Sequence, residues 1–304
     1  MTITVKAVPT PAQLEGSDPT FVGRRHILAT AGSGKTWTII EAIRRLLQEG
    51  VPGTSILACS FAKSSIAAFH EKLLAIGCAD KGVRLATLHN FMYELLIHCH
   101  SMIGYSSVPK ILSESESRNL LKQCIMVAAG IQKMEELRGY SEKDVKAWLG
   151  EYQVRLYSTE PKDYNPYFSI NPPKIGMQKA VELYLEKLKS YNIIDFDSIL
   201  TDGLRILIQA RGTLTLPRYM FIDEAQDLSA IQWAIISELT TYTSCTTIIG
   251  DDDQSIYLWR NALPWRFINA AHQSDKRINL TTNRRCASSI VKLAADVVSA
   301  IPNS

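Results

Sequence analysis

Short apolar runs alternate with amphipathic segments in the first third of the chain. Apolar runs at 27–29, 55–61 and 83–87 are each followed by a turn and then by a segment with helical spacing of its hydrophobic positions. The segment 36–48 is the clearest case, because its large apolar residues share one helical face: Ile39, Ile40, Ile43, Leu46 and Leu47. Strands that alternate with helices predict parallel βαβ units, with helices on both faces of one sheet.

This alternation stops near residue 105 and resumes near residue 193. Between these points, helical patterns occupy 115–129, 141–157 and 178–191, with a proline-rich, aromatic loop at 161–173. Strand-like runs then return at 219–222, 246–249 and 278–280. We therefore predict an α/β core that is discontinuous in sequence, formed by residues 1–104 and 193–275, with an all-helical insertion at 105–192.

Composition narrows the class of protein only slightly. The 304 residues are 46% hydrophobic and 21% charged, values typical of a globular protein that buries a sizeable core. A net charge of +3 is too small to indicate nucleic-acid binding by itself. The six cysteines form no C-x-x-C pair, which favours reduced thiols. No apolar run approaches the roughly 20 residues of a membrane span, and the N-terminus does not resemble a signal peptide, so we expect a cytoplasmic protein without a membrane partner.

A glycine-rich turn follows the first strand-like run. The sequence Ala-Thr-Ala-Gly-Ser-Gly-Lys-Thr at 29–36 fits the P-loop pattern, with Ala29 at the position of the first glycine. Small residues let backbone N–H groups surround phosphate oxygens, and the following helix presents its positive N-terminus. Lys35 would contact the β- and γ-phosphates, and the Thr36 hydroxyl would bind Mg²⁺. The predicted ATP-binding residues of this turn are Ala31, Gly32, Ser33, Gly34, Lys35 and Thr36.

Two carboxylates follow the later apolar run at 219–222. Asp223 would hold Mg²⁺, and Glu224 would orient or deprotonate the attacking water. The alternative is a solvated acidic start of a helix, where carboxylates interact favourably with the helix dipole. The P-loop upstream favours the metal site, because a P-loop needs an acidic partner on a neighbouring strand.

Further motifs, together with these two, resemble the UvrD/Rep/PcrA group of superfamily 1 DNA helicases. Asp-Glu-Ala-Gln-Asp at 223–227 resembles motif II, and 250–260 resembles motif III. The family's other motifs follow in its order, with resemblances at 10–13, 87–91, 195–200 and 283–285 and a looser match at 60–63. The resemblance implies a P-loop NTPase with a RecA-like parallel sheet, ATP and Mg²⁺ as cofactors, and single-stranded DNA or DNA junctions as partner. It also implies movement in the 3′→5′ direction.

The resemblance assigns roles to individual residues as well. Gln13 would read adenine, since an amide can pair with N6 and N7 of that base. Gln254 would sense the γ-phosphate, and Arg285 would contact it. Arg284 stands where the family has a base-stacking tyrosine, and a guanidinium plane can also stack. The implied catalytic residues are Lys35, Asp223, Glu224, Gln254 and Arg285.

The implied contacts to DNA are Phe61, Thr87, His89, Trp259 and Arg260. Phe61 and Trp259 would stack on bases, an interaction that accepts any sequence. Core packing is the alternative for an aromatic residue, and a structural role at the start of a helix is the alternative for Thr87 and His89.

Residues 276–304 would be the incomplete start of a second RecA-like core. The family's motifs V and VI, with a transition-state arginine, are missing from the sequence, and losing such an arginine costs roughly 10³–10⁵ in rate. We therefore expect Mg-ATP binding, slow hydrolysis and no unwinding of duplex DNA by the chain alone, with a second polypeptide as a candidate source of the missing core. The alternative hypothesis is a non-catalytic module, or the partner subunit of a split helicase, that binds ATP and single-stranded DNA. A P-loop kinase is disfavoured, because it does not account for motif III.

Overall fold

The computed structural model describes residues 8–60, 62–130, 132, 177–258 and 262–299. These residues form two compact units. Unit 1 consists of the described residues within Met1–Thr87, Thr215–Ser229 and Leu239–Ser304, and unit 2 consists of those within Leu88–Leu214 and Ala230–Glu238. The helix predicted at 141–157 and the loop predicted at 161–173 lie outside the described residues.

Strands and helices are numbered here in chain order over the described residues. The strands are β1 (Gly23–Ala29), β2 (Ile56–Ser60), β3 (Arg84–Ala86), β4 (Lys110–Ile111), β5 (Ile193–Ile194), β6 (Tyr219–Asp223), β7 (Cys245–Gly250) and β8 (Lys276–Leu280). The helices are α1 (Pro11–Gly16), α2 (Lys35–Gln48), α3 (Lys63–Ala75), α4 (Leu88–Cys99), α5 (Glu114–Ala129), α6 (Met177–Ser190), α7 (Phe196–Gln209), α8 (Ala230–Thr240), α9 (Pro264–His272) and α10 (Ser288–Ser299). Within the described ranges, no helix has the length and apolarity needed to cross a membrane.

Unit 1 is built on one parallel sheet with the strand order β3-β2-β6-β7-β1-β8. Every residue of β2 and β7 is buried, as expected of strands covered by helices on both faces. The apolar face predicted for α2 packs into the hydrophobic core of unit 1 through Ile39, Ile43 and Leu46. The predicted α/β class, with a sheet interrupted in sequence and continuous in space, is confirmed.

The last strand corrects a predicted domain boundary. We expected a second core to begin at residue 276, but β8 pairs with β1, with Ile27 opposite Ile278 and Ala29 opposite Leu280. Ile278 and Leu280 are buried in the core of unit 1. Because these side chains complete the existing core, residues 276–280 form the sixth strand of the same sheet and do not begin another.

Unit 2 contains more of the chain than the predicted insertion at 105–192. Helices α4 and α7, which we assigned to the α/β core, both belong to it. They approach each other closely at Gly203, where an added Cβ would lie 2.8 Å from Cβ of Met92. A glycine at this position of α7 therefore permits contact between the two helices.

Within unit 2, helices α5 and α6 pack against each other around a hydrophobic cluster of their own. At its edge, the hydroxyl of buried Tyr184 donates to Oδ2 of Asp195 at 2.5 Å and lies 2.8 Å from Oγ of Ser117. The other oxygen of Asp195 accepts from the backbone N–H of Ser198 at 2.7 Å and so caps α7. Burial and the nearby carboxylate of Asp195 raise the pKa of Tyr184. One phenol thus satisfies polar groups from two elements that the apolar core alone would leave unpaired.

Replacing Tyr184 with Phe tests this network. The substitution keeps the ring and leaves Asp195 with one partner fewer in a buried site, so we expect unit 2 to lose about 1–3 kcal/mol of unfolding free energy. Denaturant titration followed by circular dichroism measures the loss. Tyr191→Phe is the matched control, because Tyr191 is exposed, and it should leave the unfolding midpoint unchanged. Equal midpoints for the two variants would contradict the assignment.

Candidate nucleotide-binding site

The P-loop lies between β1 and α2. Its backbone turns at Gly32 and Gly34, whose φ angles are +70° and +97°. The left-handed region is readily available only to glycine, which explains both positions. An added Cβ at Gly34 would also lie 2.4 Å from Nε2 of Gln13. Helix α2 begins at Lys35, and the first N–H groups of a helix have no partner within it. The loop and the helix start therefore offer backbone donors to an anion.

Parallel pairing brings the acidic segments to this loop. Strands β1, β7 and β6 are neighbours, so Ala29, Gly250 and Asp223 end at the same edge of the sheet. There Nζ of Lys35 donates to Oε2 of Glu224 at 2.9 Å. The residues predicted from motifs I and II are thus in direct contact, although 189 positions separate them in sequence.

Asp223 is deeply buried at this edge, with 3% of its surface exposed. Burial and the charge of Glu224 raise its pKa to about 7, against the opposing effect of Lys35. Burial and Glu224 likewise raise the pKa of Asp227 to about 6. Carboxylates that resist ionisation in this way are stabilised as anions by an added cation.

Mg²⁺ fits the donors present at this edge. Among the described residues there is no cluster of three or more His, Cys, Asp or Glu side chains able to hold a metal by themselves. Mg²⁺ commonly takes one or two protein oxygens and completes its octahedron with phosphate oxygens and water. Asp223 and the hydroxyl of Thr36, on the first turn of α2, are such oxygens.

Glu224 has an unusual backbone. Its φ of +53° and ψ of +46° are left-handed, which costs a residue other than glycine roughly 1–2 kcal/mol. The conformation turns the chain sharply after β6 and accompanies the hydrogen bond from its own N–H to Oδ1 of Asp223 at 3.0 Å. Strained backbone of this kind is characteristic of functional sites.

Gln226 connects the turns after β6 and β7, a role we did not predict. Its Nε2 donates to Oε2 of Glu224 at 3.0 Å, and its Oε1 accepts from the backbone N–H of Asp251 at 3.0 Å. Gly250 leaves room for it, because an added Cβ there would lie 2.6 Å from Oε1 of Gln226. The only signal in the sequence was an amide placed between acidic residues.

Gln254 lies on the next turn, and its Nε2 donates to Oδ2 of buried Asp251. Burial raises the pKa of Asp251, although the hydrogen bond from Gln254 lowers it. Lys35, Glu224, Gln226, Asp251 and Gln254 therefore form a continuous series of polar contacts across three neighbouring strand ends. The structure places Lys35, Thr36, Asp223 and Gln254 at this sheet edge, and their convergence on one magnesium-bound triphosphate stays a prediction.

Gln13 is placed beside the P-loop but is engaged by protein groups. Only 3% of its surface is exposed. Its Nε2 donates to the carbonyl of Ser33 at 2.9 Å, and its Oε1 accepts from the backbone N–H of Thr10 at 2.9 Å. It also closes the capping box of α1 with Thr10. These contacts make Gln13 a support of the P-loop, and its reading of adenine stays a prediction.

The segment after β8 returns to the same loop. The backbone N–H of Arg284 donates to the carbonyl of Gly32 at 2.9 Å, and its guanidinium donates to the carbonyl of Val8. Arg285 is exposed next to it. Both arginines thus lie beside the P-loop, and their roles toward a nucleotide stay predictions.

Of the five predicted DNA contacts, two lie among the described residues. Phe61, Trp259 and Arg260 lie outside the described residues. Thr87 is buried at the residue after β3. In unit 2, the ring of His89 stacks on Phe196, with 4.1 Å between ring centroids and 16° between planes.

Phe196 is a feature that sequence analysis did not find. It is 56% exposed, although it is a large aromatic residue at the start of α7. Helical spacing gave no signal of this exposure, because Phe196 lies three and four residues before buried Ile199 and Leu200 and so falls on the apolar face of the helix. An exposed aromatic ring stacked on an imidazole is a surface on which a base can stack.

Comparison with known proteins agrees with this geometry. Residues 10–275 match the family model of the UvrD/REP helicase N-terminal domain. DNA helicase II of Escherichia coli is 28% identical over 280 residues, which cover 88% of this chain and 37% of that protein. ATP-dependent DNA helicase Rep of the same organism is 26% identical over 292 residues, covering 91% and 41%. ATP-dependent DNA helicase srs2 of Schizosaccharomyces pombe is 25% identical over 298 residues, covering 90% and 33%. The chain therefore spans between 33% and 41% of the length of these relatives, and it belongs to the UvrD/REP helicase N-terminal domain family.

Proposed function

We propose that this chain is the ATP-binding and ATP-hydrolysing core of a DNA helicase, which couples hydrolysis to movement along single-stranded DNA. The observation that carries the proposal is the contact between Lys35 of the P-loop and Glu224, beside buried Asp223. A lysine that can bind phosphate, a carboxylate that can orient water and a carboxylate that favours a cation lie at one sheet edge. Membership of the helicase family supports the same function.

The residues suggest a sequence of events on nucleotide binding. The triphosphate would occupy the backbone donors of the P-loop, and Lys35 would exchange Glu224 for the β- and γ-phosphate oxygens. Glu224 would then be free to orient the attacking water and accept its proton. Thr36 and Asp223 would hold Mg²⁺, which neutralises charge on the phosphates. Arg285 would contact the γ-phosphate from the segment after β8.

Coupling to DNA would begin at Gln226. This side chain joins Glu224 to the backbone of Asp251, and Asp251 is bonded to Gln254. A change at Glu224 would therefore alter the turn at 252–254, from which the chain continues to Trp259 and Arg260. We propose these two residues, with Phe61, Thr87 and His89, as contacts to single-stranded DNA. The 3′→5′ direction rests on family resemblance.

Further polypeptide would complete the proposed helicase. The relatives are much longer than this chain, and in α10 three large apolar residues are exposed at helical spacing: Ile290, Leu293 and Val297. We propose that a second core, in the same or another polypeptide, covers this stripe and supplies a further arginine to the phosphates. The chain by itself should then hydrolyse ATP slowly and leave duplex DNA intact.

The alternative is a non-catalytic module that binds ATP and single-stranded DNA or a partner helicase. The ion pair between Lys35 and Glu224 favours it, because each group neutralises the other in the absence of nucleotide. The two functions differ in turnover. Tight nucleotide binding without phosphate release, with or without DNA, would support the module.

Removing the P-loop lysine tests the enzymatic proposal. We expect single-stranded DNA to stimulate phosphate release by the chain, and Lys35→Ala to reduce that release by about 10²–10³-fold through loss of charge stabilisation in the transition state. A coupled phosphate assay with and without oligonucleotide measures both effects.

Lys81→Ala is the matched control for this assay. Lys81 is exposed on a turn outside the site, so its removal should leave turnover unchanged. DNA-independent phosphate release that persists in Lys35→Ala would identify a contaminating activity and count against the proposal. Strand displacement by the chain alone would contradict the expected need for a second core.

Replacing Phe196 with Ala tests the DNA surface. Stacking contributes roughly 1–3 kcal/mol per base, so we expect the affinity for a single-stranded oligonucleotide to fall at least about fivefold. Fluorescence anisotropy at fixed salt measures the change. Tyr191→Ala removes another exposed aromatic residue of unit 2 and should have no such effect. Unchanged affinity in Phe196→Ala would remove this ring from the DNA-binding surface.

A further inference from the structure

The segment that follows β8 is attached to the P-loop through one amide side chain. Nδ2 of Asn283 donates to the carbonyl of Ala31 at 2.6 Å. Its Oδ1 accepts two backbone N–H groups, from Arg285 at 2.9 Å and from Cys286 at 2.8 Å. Asn283 therefore bonds the phosphate-binding loop with one end of its amide and the backbone that presents Arg285 with the other.

Further hydrogen bonds hold this segment and the end of β8 against the loop. The backbone N–H of Arg284 donates to the carbonyl of Gly32, and Thr30 donates its backbone N–H to the carbonyl of Leu280 at 3.1 Å. The fit is close, because a Cβ added at Gly32 would lie 2.8 Å from Nδ2 of Asn283 and 2.9 Å from Cβ of Arg285. A glycine at position 32 is thus required by the neighbouring segment as well as by the turn.

The guanidinium of Arg285 is available to an anion. The side chain is exposed, and none of the described carboxylates forms an ion pair with it. Its backbone is fixed beside Gly32, so the site of its positive charge relative to the P-loop depends on the two hydrogen bonds at 283–286. A long side chain on an unsupported segment would spread this charge over many positions.

We propose that Asn283 is a positioning residue that sets Arg285 against the P-loop and thereby determines the preference for a nucleoside triphosphate over a diphosphate. The inference rests on the proposed function, since it assumes that the loop binds nucleotide. An amide suits the position, because its nitrogen donates to one carbonyl while its oxygen accepts from two N–H groups. A carboxylate would lack the donor and would place negative charge beside the phosphates.

The test compares nucleotide affinities of the whole chain. Binding of ADP and of the β,γ-imido analogue of ATP, each with Mg²⁺, is measured by calorimetry for the wild type, Asn283→Ala, Arg285→Ala and the double variant. We expect Asn283→Ala to reduce the triphosphate-to-diphosphate preference about tenfold, the scale of one hydrogen bond to a charged group, with a smaller change in ADP affinity. In the Arg285→Ala background, removal of Asn283 should leave the remaining preference unchanged.

Two controls sharpen the comparison. Asn279→Ala removes an exposed asparagine of β8 and should preserve both affinities. Asn283→Ser keeps an acceptor for the N–H of Arg285 and should restore part of the preference, which also covers the case in which the alanine variant does not fold.

Each remaining outcome decides against the inference. Equal loss of ADP and triphosphate affinity in Asn283→Ala would show that Asn283 supports the loop without distinguishing the two nucleotides. No change in either affinity would show that its hydrogen bonds do not affect nucleotide binding. An additive loss in the double variant would separate Asn283 from Arg285. A wild-type chain that binds neither nucleotide would overturn the proposed function itself, which distinguishes that failure from the others.

Discussion

Negative charge concentrated at one sheet edge is the constraint on which the site depends. Asp223, Asp227 and Asp251 all have raised pKa values, each chiefly through burial, and Lys35 lowers all three. Lys35 acts on all three carboxylates and is already paired with Glu224, and it does not offset their burial, since all three pKa values stay raised. The raised pKa values show that burial disfavours the ionised form of these groups, and a nearby cation favours it. The free site would therefore gain stability from a bound cation, and under the proposed function a magnesium nucleotide would deliver that cation with its phosphates.

The parallel sheet makes this concentration possible. Every strand of unit 1 runs in the same direction, so the turns after β1, β6, β7 and β8 all leave from one edge. β1 lies between β7 and β8, which puts the P-loop between the turn that carries Gln254 and the segment that carries Arg285. The order of the strands along the chain does not matter for this arrangement, because the hydrogen-bonded pairing of the strands fixes which strand ends are adjacent. A long insertion between β3 and β6 can therefore interrupt the chain and leave the site intact.

Local patterns predicted the parts of this site, and tertiary packing determined how they connect. The P-loop and the acidic pair were predictable, since strand, turn and helix signals lie within a few residues of each. The place of β8 was not, because a short strand with alternating burial suits either of two sheets until its partner is known. The engagement of Gln13 with Ser33 depends on a residue 20 positions away. Exposed Phe196 was missed because an aromatic residue in a globular chain is more often part of the core.

The carbonyls of the P-loop are the acceptors that bring Gln13 and Asn283, distant in sequence, to this loop. The carbonyl of Thr30 accepts from Ser33, that of Ala31 from Asn283, that of Gly32 from Arg284, that of Ser33 from Gln13 and that of Gly34 from Thr38. Since a peptide N–H lies opposite its carbonyl, fixing each carbonyl to the protein fixes the N–H toward the other side of the loop. The loop is thereby held in an anion-binding conformation before any ligand arrives. The entropy cost of ordering the loop therefore arises during folding and not during binding. Under the proposed function, Gln13 and Asn283 would act on the phosphates through the backbone that they restrain, and neither amide would need to contact the ligand.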